Sequence, residues 1–143
     1  MLQCSSLCQA LKDAPPPPAG TYTLLLWLAN NQPIKIGRLG CFEFPKGYYT
    51  YTGSAKRGLM SRLHRHIHGA VKQHWHIDYL RPFVQVLDWQ AYAEGMQPEC
   101  NLNERLMRWG EVVAHRFGSS DCRCLSHLLH ADGNRRPAWR VGL

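Results

Sequence analysis

The stretch of sequence that decides the fold reads FPKGYYTYTGSAKRGLMSRLHRHIHGAVKQHWHI, residues 44–77. It contains six Lys or Arg residues and five of the eight histidines, but no acidic residue. Residues 48–52 alternate in face as a strand does, and the small residues at 53–55 are expected to break that strand. Residues 58–69 have the apolar spacing of an amphipathic helix. We therefore expect a strand that leads into a basic helix.

Three polar residues of this helix are expected to project away from its apolar face. They are Arg62, Arg65 and His66. Arg62 and His66 are four residues apart, so they point the same way on a helix. The guanidinium of an arginine is a planar set of donors that matches the geometry of phosphate. The helix is thus a candidate phosphate-binding element.

The rest of the chain alternates between short strands and helices. Strands are predicted at residues 22–28, 33–39, 42–44 and 83–92, and the tight turns between the first of them indicate an antiparallel meander. A helix is predicted from Pro98 to about Trp109, with Glu99 in its first turn, where a negative charge suits the helix dipole. Residues 73–80 fit either a strand or a helix. A loop at 117–121 and a short closing element at 125–130 follow.

The expected domain organisation is simple. Residues 1–19 form an N-terminal extension with a polyproline spacer at 15–18, residues 20–131 form one folded domain, and residues 132–143 form a C-terminal tail expected to be mobile. No apolar run is long enough to cross a membrane, and the N-terminus lacks the pattern of a secretory signal. The six cysteines are therefore expected to be reduced, in a cytoplasmic protein.

The charge of the 143-residue chain bears on its partners. A net charge of +7 favours nucleic acid or another polyanion as a partner, although a basic protein without such a partner is the alternative.

Hydrolysis of a phosphodiester requires an activated water, residues that bind the phosphate and compensation of the charge that develops on it. The chain supplies suitable residue types for all three tasks. They are Tyr22 and Tyr51 on predicted strands, Arg62 and His66 on the basic helix, and Glu99 and Glu104 on the later helix.

These residues resemble the motifs of the GIY-YIG nuclease superfamily. Gly20-Thr21-Tyr22 is similar to the first motif and Tyr51-Thr52-Gly53 to the second, while Arg62 and His66 keep the family's distances from the glycine. The closer resemblance is to the Uri-type branch, formerly known only as a domain of unknown function. Its signature is matched by the runs 37–40, 51–55, 65–66, 76–80, 99–100 and 120–124.

The resemblance implies an α/β (α+β) fold, with a small central antiparallel sheet flanked by helices. It implies Tyr22 and Tyr51 near the attacking water, Arg62 on the phosphate, His66 one turn beyond, and a glutamate that binds one Mg²⁺ or Mn²⁺. Glu99 is the first candidate, because Leu102 completes a Glu-x-x-Leu pattern, and Glu104 is the alternative. The two are about 140° apart around a helix, so they are not expected to enter one site.

The same resemblance implies a nucleic-acid partner, DNA ahead of RNA. The residues expected to bind phosphate or nucleic acid are Ser54, Lys56, Arg57, Arg65 and His76. Two features depart from the family pattern. An inserted hairpin around residues 37–44 separates the two tyrosine motifs, and Ser119-Ser120-Asp121 stands where an asparagine usually follows the glutamate helix.

Plainer interpretations remain open beside the functional ones. The tyrosines, Arg62, His66 and Glu99 could serve packing, solvation or helix-dipole roles alone. His74, His76 and Asp78 could assemble a metal or phosphate site if the segment is extended, or could stabilise the fold through hydrogen bonds.

Four residues have zinc-ligand chemistry, namely Cys100, Cys122, Cys124 and His127. Because a Cys-x-Cys spacing is tight for a zinc ribbon or finger, free cysteines are expected and zinc is not.

The leading hypothesis is a metal-dependent endonuclease with a single Mg²⁺ site. The alternatives are a non-catalytic nucleic-acid-binding module on the same scaffold, and a zinc-stabilised interaction domain.

Overall fold

The computed structural model describes residues 18–96, 98–108, 110–120, 122–133, 136 and 139. The predicted N-terminal extension lies almost wholly outside the described residues, as do Asp121 and most of the predicted tail. The elements are β1 (Gly20–Leu28), β2 (Gln32–Ile36), β3 (Gly40–Phe44), β4 (Gly47–Ala55), α1 (Leu59–His68), α2 (His76–Leu80), a 3₁₀ turn (Arg81–Phe83), β5 (Gln85–Ala93), α3 (Glu99–Leu106), β6 (Glu111–Val112) and β7 (Leu128–Ala131).

An antiparallel five-stranded sheet forms the centre of this mixed α/β fold, in the order β5-β1-β4-β7-β6. The central strands β1 and β4 are nine residues long and almost entirely buried, because apolar residues and threonines occupy both of their faces. Their pairing sets Tyr22 opposite Gly53 and Leu24 opposite Tyr51. The two tyrosine motifs are therefore neighbours in the sheet despite the sequence between them.

The predicted meander is wrong in its pairing. Strand β1 lies between β5 and β4 and does not pair with β2; instead β2 and β3 form a separate two-stranded sheet. The reason is the burial pattern, since β2 and β3 alternate between buried and exposed residues and have only one face to cover. This hairpin is the insertion expected between the tyrosine motifs, and α2 packs on it through Tyr79, whose ring lies against Gly37.

Helix α1 has nearly the predicted bounds, with Leu59, Leu63 and Ile67 buried. The prediction that His66 projects away from the buried face is wrong. His66 is buried, with 1% of its surface exposed. The end of α1 is held by Arg81, which donates hydrogen bonds to the carbonyl oxygens of His66 and Ile67, each at 2.6 Å. These bonds supply partners to carbonyls that the helix leaves unpaired.

The ambiguous segment 73–80 proves helical in its second half. Asp78, at the third position of α2, accepts hydrogen bonds from the backbone N–H groups of His74 and Trp75 at 2.8 and 2.9 Å. Those groups would otherwise lack helical partners, so Asp78 fixes where α2 begins. Helix α3 starts after Pro98 as predicted but ends at Leu106, short of Trp109. Gly110 then lies against Leu129 of β7, where a Cβ would come within 2.8 Å of the leucine Cβ.

Candidate functional site

An open cleft of about 310 Å³ lies at one end of the central strands β1 and β4. His74, considered above for a metal or phosphate site, lines it, and so do six of the candidate catalytic and nucleic-acid-binding residues. They are Tyr22, Tyr51, Ser54, Arg62, His76 and Glu99. The sheet supplies the tyrosines and the serine, α1 supplies Arg62, α2 supplies His76, and the first turn of α3 supplies Glu99. Residues from five elements thus meet around one space.

Tyr22 is held in place by the absence of a side chain at Gly53. The two residues are partners across β1 and β4, and a Cβ on Gly53 would come within 2.5 Å of the Tyr22 hydroxyl oxygen. Contacts under about 3.0 Å are not tolerated by real Cβ atoms. The glycine of the second motif therefore creates the space in which the tyrosine of the first motif lies.

The Tyr22 hydroxyl and Nε2 of His66 are 2.7 Å apart in a buried hydrogen bond. Burial, followed by the proximity of Tyr51, raises the pKa of Tyr22 well above its ordinary value, although Arg62 acts in the opposite direction. Burial lowers the pKa of His66 to about 4, and the nearby Arg62, Arg65 and Arg81 reinforce the effect while Asp78 opposes it. At neutral pH the pair is a neutral phenol against a neutral imidazole. His66 supports Tyr22 from behind and does not itself line the cleft.

Arg62 is fixed against the cleft wall from two sides. Its Nη1 donates to the carbonyl oxygen of Ser54, and its guanidinium lies over the ring of Trp75, with Cζ 4.5 Å from the ring centroid. Such stacking is favourable because the ring face is electron-rich, and it leaves the edge of the guanidinium available as a donor. The arginine is therefore pre-oriented on a wall of the cleft.

Trp75 is a part of this site that the sequence reasoning missed. It lines the cleft and contacts two arginines, since Cζ of Arg65 lies 4.8 Å from its ring centroid. The available signal was an aromatic residue between two histidines in the acid-free stretch, an arrangement typical of nucleic-acid-binding surfaces.

Asp78 positions Trp75. In addition to the two backbone N–H groups, its Oδ2 pairs with Nη2 of Arg65 at 2.8 Å. Burial alone would raise the pKa of Asp78, but these hydrogen bonds outweigh it and hold the pKa below its ordinary value. The alternative in which Asp78 buttresses the fold is the one that the structure shows.

His76 connects the cleft to the loop that follows β6. Its Nδ1 accepts a hydrogen bond from the backbone N–H of Gly118 at 2.8 Å, so the neutral ring carries its proton on Nε2. Burial lowers the pKa of His76. Gly118 has a positive φ of 70° and lies against the ring of Tyr51, where a Cβ would approach to 3.0 Å. The loop therefore packs on the second tyrosine of the cleft.

Glu99 connects the cleft to a second cluster of side chains. Its Oε1 accepts a hydrogen bond from Oγ of Ser54 at 2.7 Å, and its Oε2 lies 2.8 Å from Nδ1 of His127. Burial lowers the pKa of His127, but the Glu99 carboxylate outweighs this effect and raises it overall. About a quarter of the Glu99 side chain is exposed, 24%. A single accessible carboxylate on an open cleft could serve as one ligand of a divalent ion such as Mg²⁺, which binds through few carboxylates and keeps several waters.

The second cluster consists of the four residues with zinc-ligand chemistry. One ligand atom from each of Cys100, Cys122, Cys124 and His127 lies within 4.8 Å of all the others. Nε2 of His127 is 3.5 Å from Sγ of Cys122 and 3.8 Å from Sγ of Cys100. The four residues form a group that could hold a metal ion. The sequence identified these four residues by their ligand chemistry, but the Cys-x-Cys spacing argued against zinc. Spacing alone does not show that Cys100 of α3 packs beside the loop that carries Cys122 and Cys124.

The thiols of this cluster differ in acidity. Burial raises the pKa of Cys100 and of Cys124. Burial acts in the same direction on Cys122, but hydrogen bonds from the backbone of Cys124 and the side chain of Cys100 lower its pKa overall.

Four residues predicted for phosphate or metal binding lie elsewhere. Lys56 and Arg57 are in the exposed loop after β4 and are not among the lining residues, and Arg65 is held by Asp78. Glu104 is exposed beside Asn101, Arg105 and Arg108 on another surface, so it does not share a site with Glu99.

Asn103 is a further residue that the sequence reasoning passed over. It is fully buried, and its Nδ2 donates to the carbonyl oxygen of Ser126 at 2.6 Å. It lies one helical turn after Glu99, a spacing that could have identified it. Asn103 thereby anchors the chain next to His127. Asp121, which belongs to the segment that replaces the asparagine of the family pattern, lies outside the described residues.

The fold and this site define the class of protein, a small α+β domain with a polar cleft at the end of its central strands. A family model described as "Domain of unknown function DUF123" matches residues 21–141, and the chain belongs to that family. Comparison with curated proteins finds no match, and neither does comparison with solved structures. Among the described residues, no helix is long and apolar enough to cross a membrane.

Proposed function

We propose that this protein is a metal-dependent endonuclease of the GIY-YIG type that hydrolyses nucleic-acid phosphodiesters, with DNA as the first substrate to test. The observation that supports it is the convergence of Tyr22, Tyr51, Arg62 and Glu99 on one cleft. These four side chains come from four different elements, and separate structural roles would not require them to meet. The net charge of +7 favours a polyanionic substrate.

Arg62 binds the scissile phosphate in this proposal. Its stacking on Trp75 and its bond to the Ser54 carbonyl hold the guanidinium before substrate arrives. A donor fixed in advance stabilises the charge that develops on the phosphate oxygens without a cost of reorganisation in the transition state. The proton on Nε2 of His76 is a second donor lining the same cleft.

Tyr22 orients the attacking water. Its raised pKa means that it acts as a neutral hydroxyl and not as a phenolate base. In either direction of its hydrogen bond with Nε2 of His66, the hydroxyl oxygen keeps a lone pair for a proton of the water. Tyr51 lies on the same side of the cleft, with its ring centroid 6.4 Å from that of Tyr22, and helps to enclose the water.

Glu99 would hold the divalent ion. When bound there, Mg²⁺ or Mn²⁺ supplies Lewis-acid polarisation of the phosphate and a lower pKa for a bound water. Ser54 fixes one carboxylate oxygen and His127 lies against the other, so the carboxylate has one orientation in the cleft. We place the protein in the cytoplasm as part of the proposal, since free thiols such as those of Cys41, Cys100, Cys122 and Cys124 persist in reducing compartments.

The test is cleavage by the purified chain with Mg²⁺ or Mn²⁺ on supercoiled, branched and single-stranded DNA. Arg62→Ala is expected to lower the rate by at least about 10²-fold with an unchanged circular dichroism spectrum. Arg38→Ala is the matched control, because it removes the same charge from the exposed turn of the β2–β3 hairpin. Intact DNA and RNA under all conditions would reject the enzyme. Salt-sensitive binding without products would instead identify a binding module.

A further inference from the structure

The cluster of Cys100, Cys122, Cys124 and His127 is assembled from three separate parts of the chain. Cys100 lies in the first turn of α3, Cys122 and Cys124 in the loop after β6, and His127 just before β7. Packing of those elements, and not a short sequence motif, brings their ligand atoms within 4.8 Å of one another. His127 is almost fully buried, with 1% of its surface exposed, so its ring is in a fixed position.

This donor set is chemically specific. Three sulfur atoms and one imidazole nitrogen are soft ligands that suit Zn²⁺, whereas Mg²⁺ and Mn²⁺ prefer oxygen. Zinc–sulfur bonds of about 2.3 Å place sulfur atoms about 3.8 Å apart in a tetrahedron, so the observed spacing needs a contraction of about 1 Å or less. Four protein ligands complete the coordination of zinc, which is the pattern of structural and not of catalytic sites.

The orientation of His127 supplies an independent argument. Its Nδ1 lies 2.8 Å from Oε2 of Glu99, while Nε2 lies 3.5 Å from Sγ of Cys122. The contact is close but is not aligned as a hydrogen bond. The negative charge of the carboxylate nevertheless favours the proton on Nδ1 by electrostatic attraction, and Nε2 then keeps a lone pair for the sulfur side. A carboxylate behind a ligating histidine is the usual outer-shell arrangement of zinc sites.

We infer that Cys100, Cys122, Cys124 and His127 bind one structural Zn²⁺, and that Glu99 is the carboxylate that orients the His127 ligand. The site joins α3, the loop after β6 and the start of β7 through metal bonds. Because Glu99 also bonds Ser54 in the cleft, the zinc fixes the wall of the cleft on which the carboxylate lies. Zinc binding goes beyond the proposed function and does not depend on it.

The first experiment measures metal directly. The full chain, purified under reducing conditions without added metal, is expected to contain about one zinc per chain by elemental analysis and by native mass spectrometry. Cys122→Ser and Cys124→Ser are expected to lose it, while Cys41→Ser retains it, since Cys41 is exposed on β3 outside the cluster. A zinc-free chain that takes up no zinc on titration would overturn the inference, and so would retention of zinc by both cysteine variants.

A measurement on the unaltered chain guards against variants that fail to fold. Replacement of zinc by Co²⁺ is expected to give the absorption bands of tetrahedral cobalt together with thiolate-to-cobalt charge transfer. Octahedral cobalt bands without charge transfer, or a disulfide among the three cysteines in freshly reduced protein, would contradict the proposed ligands.

The role of Glu99 has its own test. Glu99→Ala is expected to weaken zinc affinity by about 10–100-fold in a chelator competition, the usual effect of removing an outer-shell carboxylate. Glu43→Ala is the matched control, because Glu43 is an exposed carboxylate on β3 of the separate hairpin, outside the cluster, and its removal should leave the affinity unchanged. Equal affinities for the two variants would remove Glu99 from the site. None of these readouts uses cleavage, so failure of the nuclease proposal leaves them intact.

Discussion

The hydroxyl group of Tyr22 lies over Gly53, its partner on the neighbouring strand, at a distance that no other residue type at position 53 would allow. The pair explains why a tyrosine motif and a glycine motif, far apart in sequence, act as one structural unit. The tyrosine ring fills the volume that the glycine leaves, and the ring then carries its hydroxyl group into the cleft.

Gly53→Ala is expected to displace Tyr22. Its Cβ would approach the hydroxyl oxygen to 2.5 Å and the ring carbon that bears it to 2.6 Å, so the ring must move. Overpacking of this kind typically costs about 1–3 kcal/mol of stability. Urea denaturation of the single variants Gly53→Ala and Tyr22→Leu and of the double variant measures the coupling, which should be non-additive because leucine lacks both of the clashing atoms. Additive effects would show that the ring is free to move away.

The buried His66 makes stability depend on pH. Its pKa is about 4 in the folded chain against an ordinary 6.5, so between these values the unfolded chain binds more protons. Stability is therefore expected to be unaffected by His66 above pH 6.5 and to fall as the pH decreases toward 4, by about 3 kcal/mol in all.

Denaturation midpoints between pH 7.5 and 4.5 check this expectation. The wild type should lose stability more steeply than His66→Phe as the pH falls, because the variant lacks the His66 ring. His76 contributes to the loss in both proteins, so the difference between their slopes reports on His66 alone. His64→Phe, an exposed position on the same helix, is the control and should retain the wild-type slope. Parallel profiles for the wild type and His66→Phe would place the protonation penalty on other groups.

Arg81 is expected to be important for the stability of α1. It donates to carbonyl oxygens of His66, Ile67 and Val84, at 2.6, 2.6 and 2.8 Å, and no smaller side chain reaches all three. Arg81→Ala leaves these acceptors without a partner, and a loss of about 2–4 kcal/mol is expected. Chemical denaturation measures the loss, with Arg57→Ala at an exposed loop position as the control. A change below about 0.5 kcal/mol would mean that water replaces the arginine.

The strand pairing expected from the turns was wrong, whereas four residues named from the family resemblance do meet in the structure. Tyr22, Tyr51, Arg62 and Glu99 line one cleft, and their chemical roles stay predictions. The pairing of β1 with β4 could not be predicted from turns alone, because burial of both strand faces overrides the preference for neighbouring strands to pair. Similarly, α1 has the expected bounds, yet His66 lies inward because Tyr22, on a distant strand, supplies its hydrogen-bond partner.

The cysteine cluster shows the limit of local reasoning most clearly. The residue types predict a possible zinc set of Cys100, Cys122, Cys124 and His127, but the tight Cys-x-Cys spacing argues against zinc. Three-dimensional packing is what brings one ligand atom of each residue within 4.8 Å of the others. The same holds for Trp75, whose contacts with Arg62 and Arg65 depend on Asp78 holding the turn before α2. The cysteine cluster and the position of Trp75 both depend on contacts between distant segments. The spacing of residues within one helix or strand gives no information about such contacts.

Trp75 is expected to control the position of Arg62. With the guanidinium 4.5 Å from the ring centroid, the indole holds the arginine against the cleft wall, a contact of about 0.5–2 kcal/mol. Under the proposed activity, Trp75→Ala should lower kcat about tenfold with a smaller change in KM, because a mobile arginine can still meet the phosphate but is not fixed for the transition state. Trp75→Phe should retain most of the rate, since the smaller phenyl ring still stacks on the guanidinium.

Trp27→Ala is the control. It removes an indole from the opposite end of β1, where that indole contacts Tyr48, and it should leave kcat unchanged. A loss in Trp75→Ala that appears only in KM would instead mean that the indole contacts the nucleic acid and does not position Arg62.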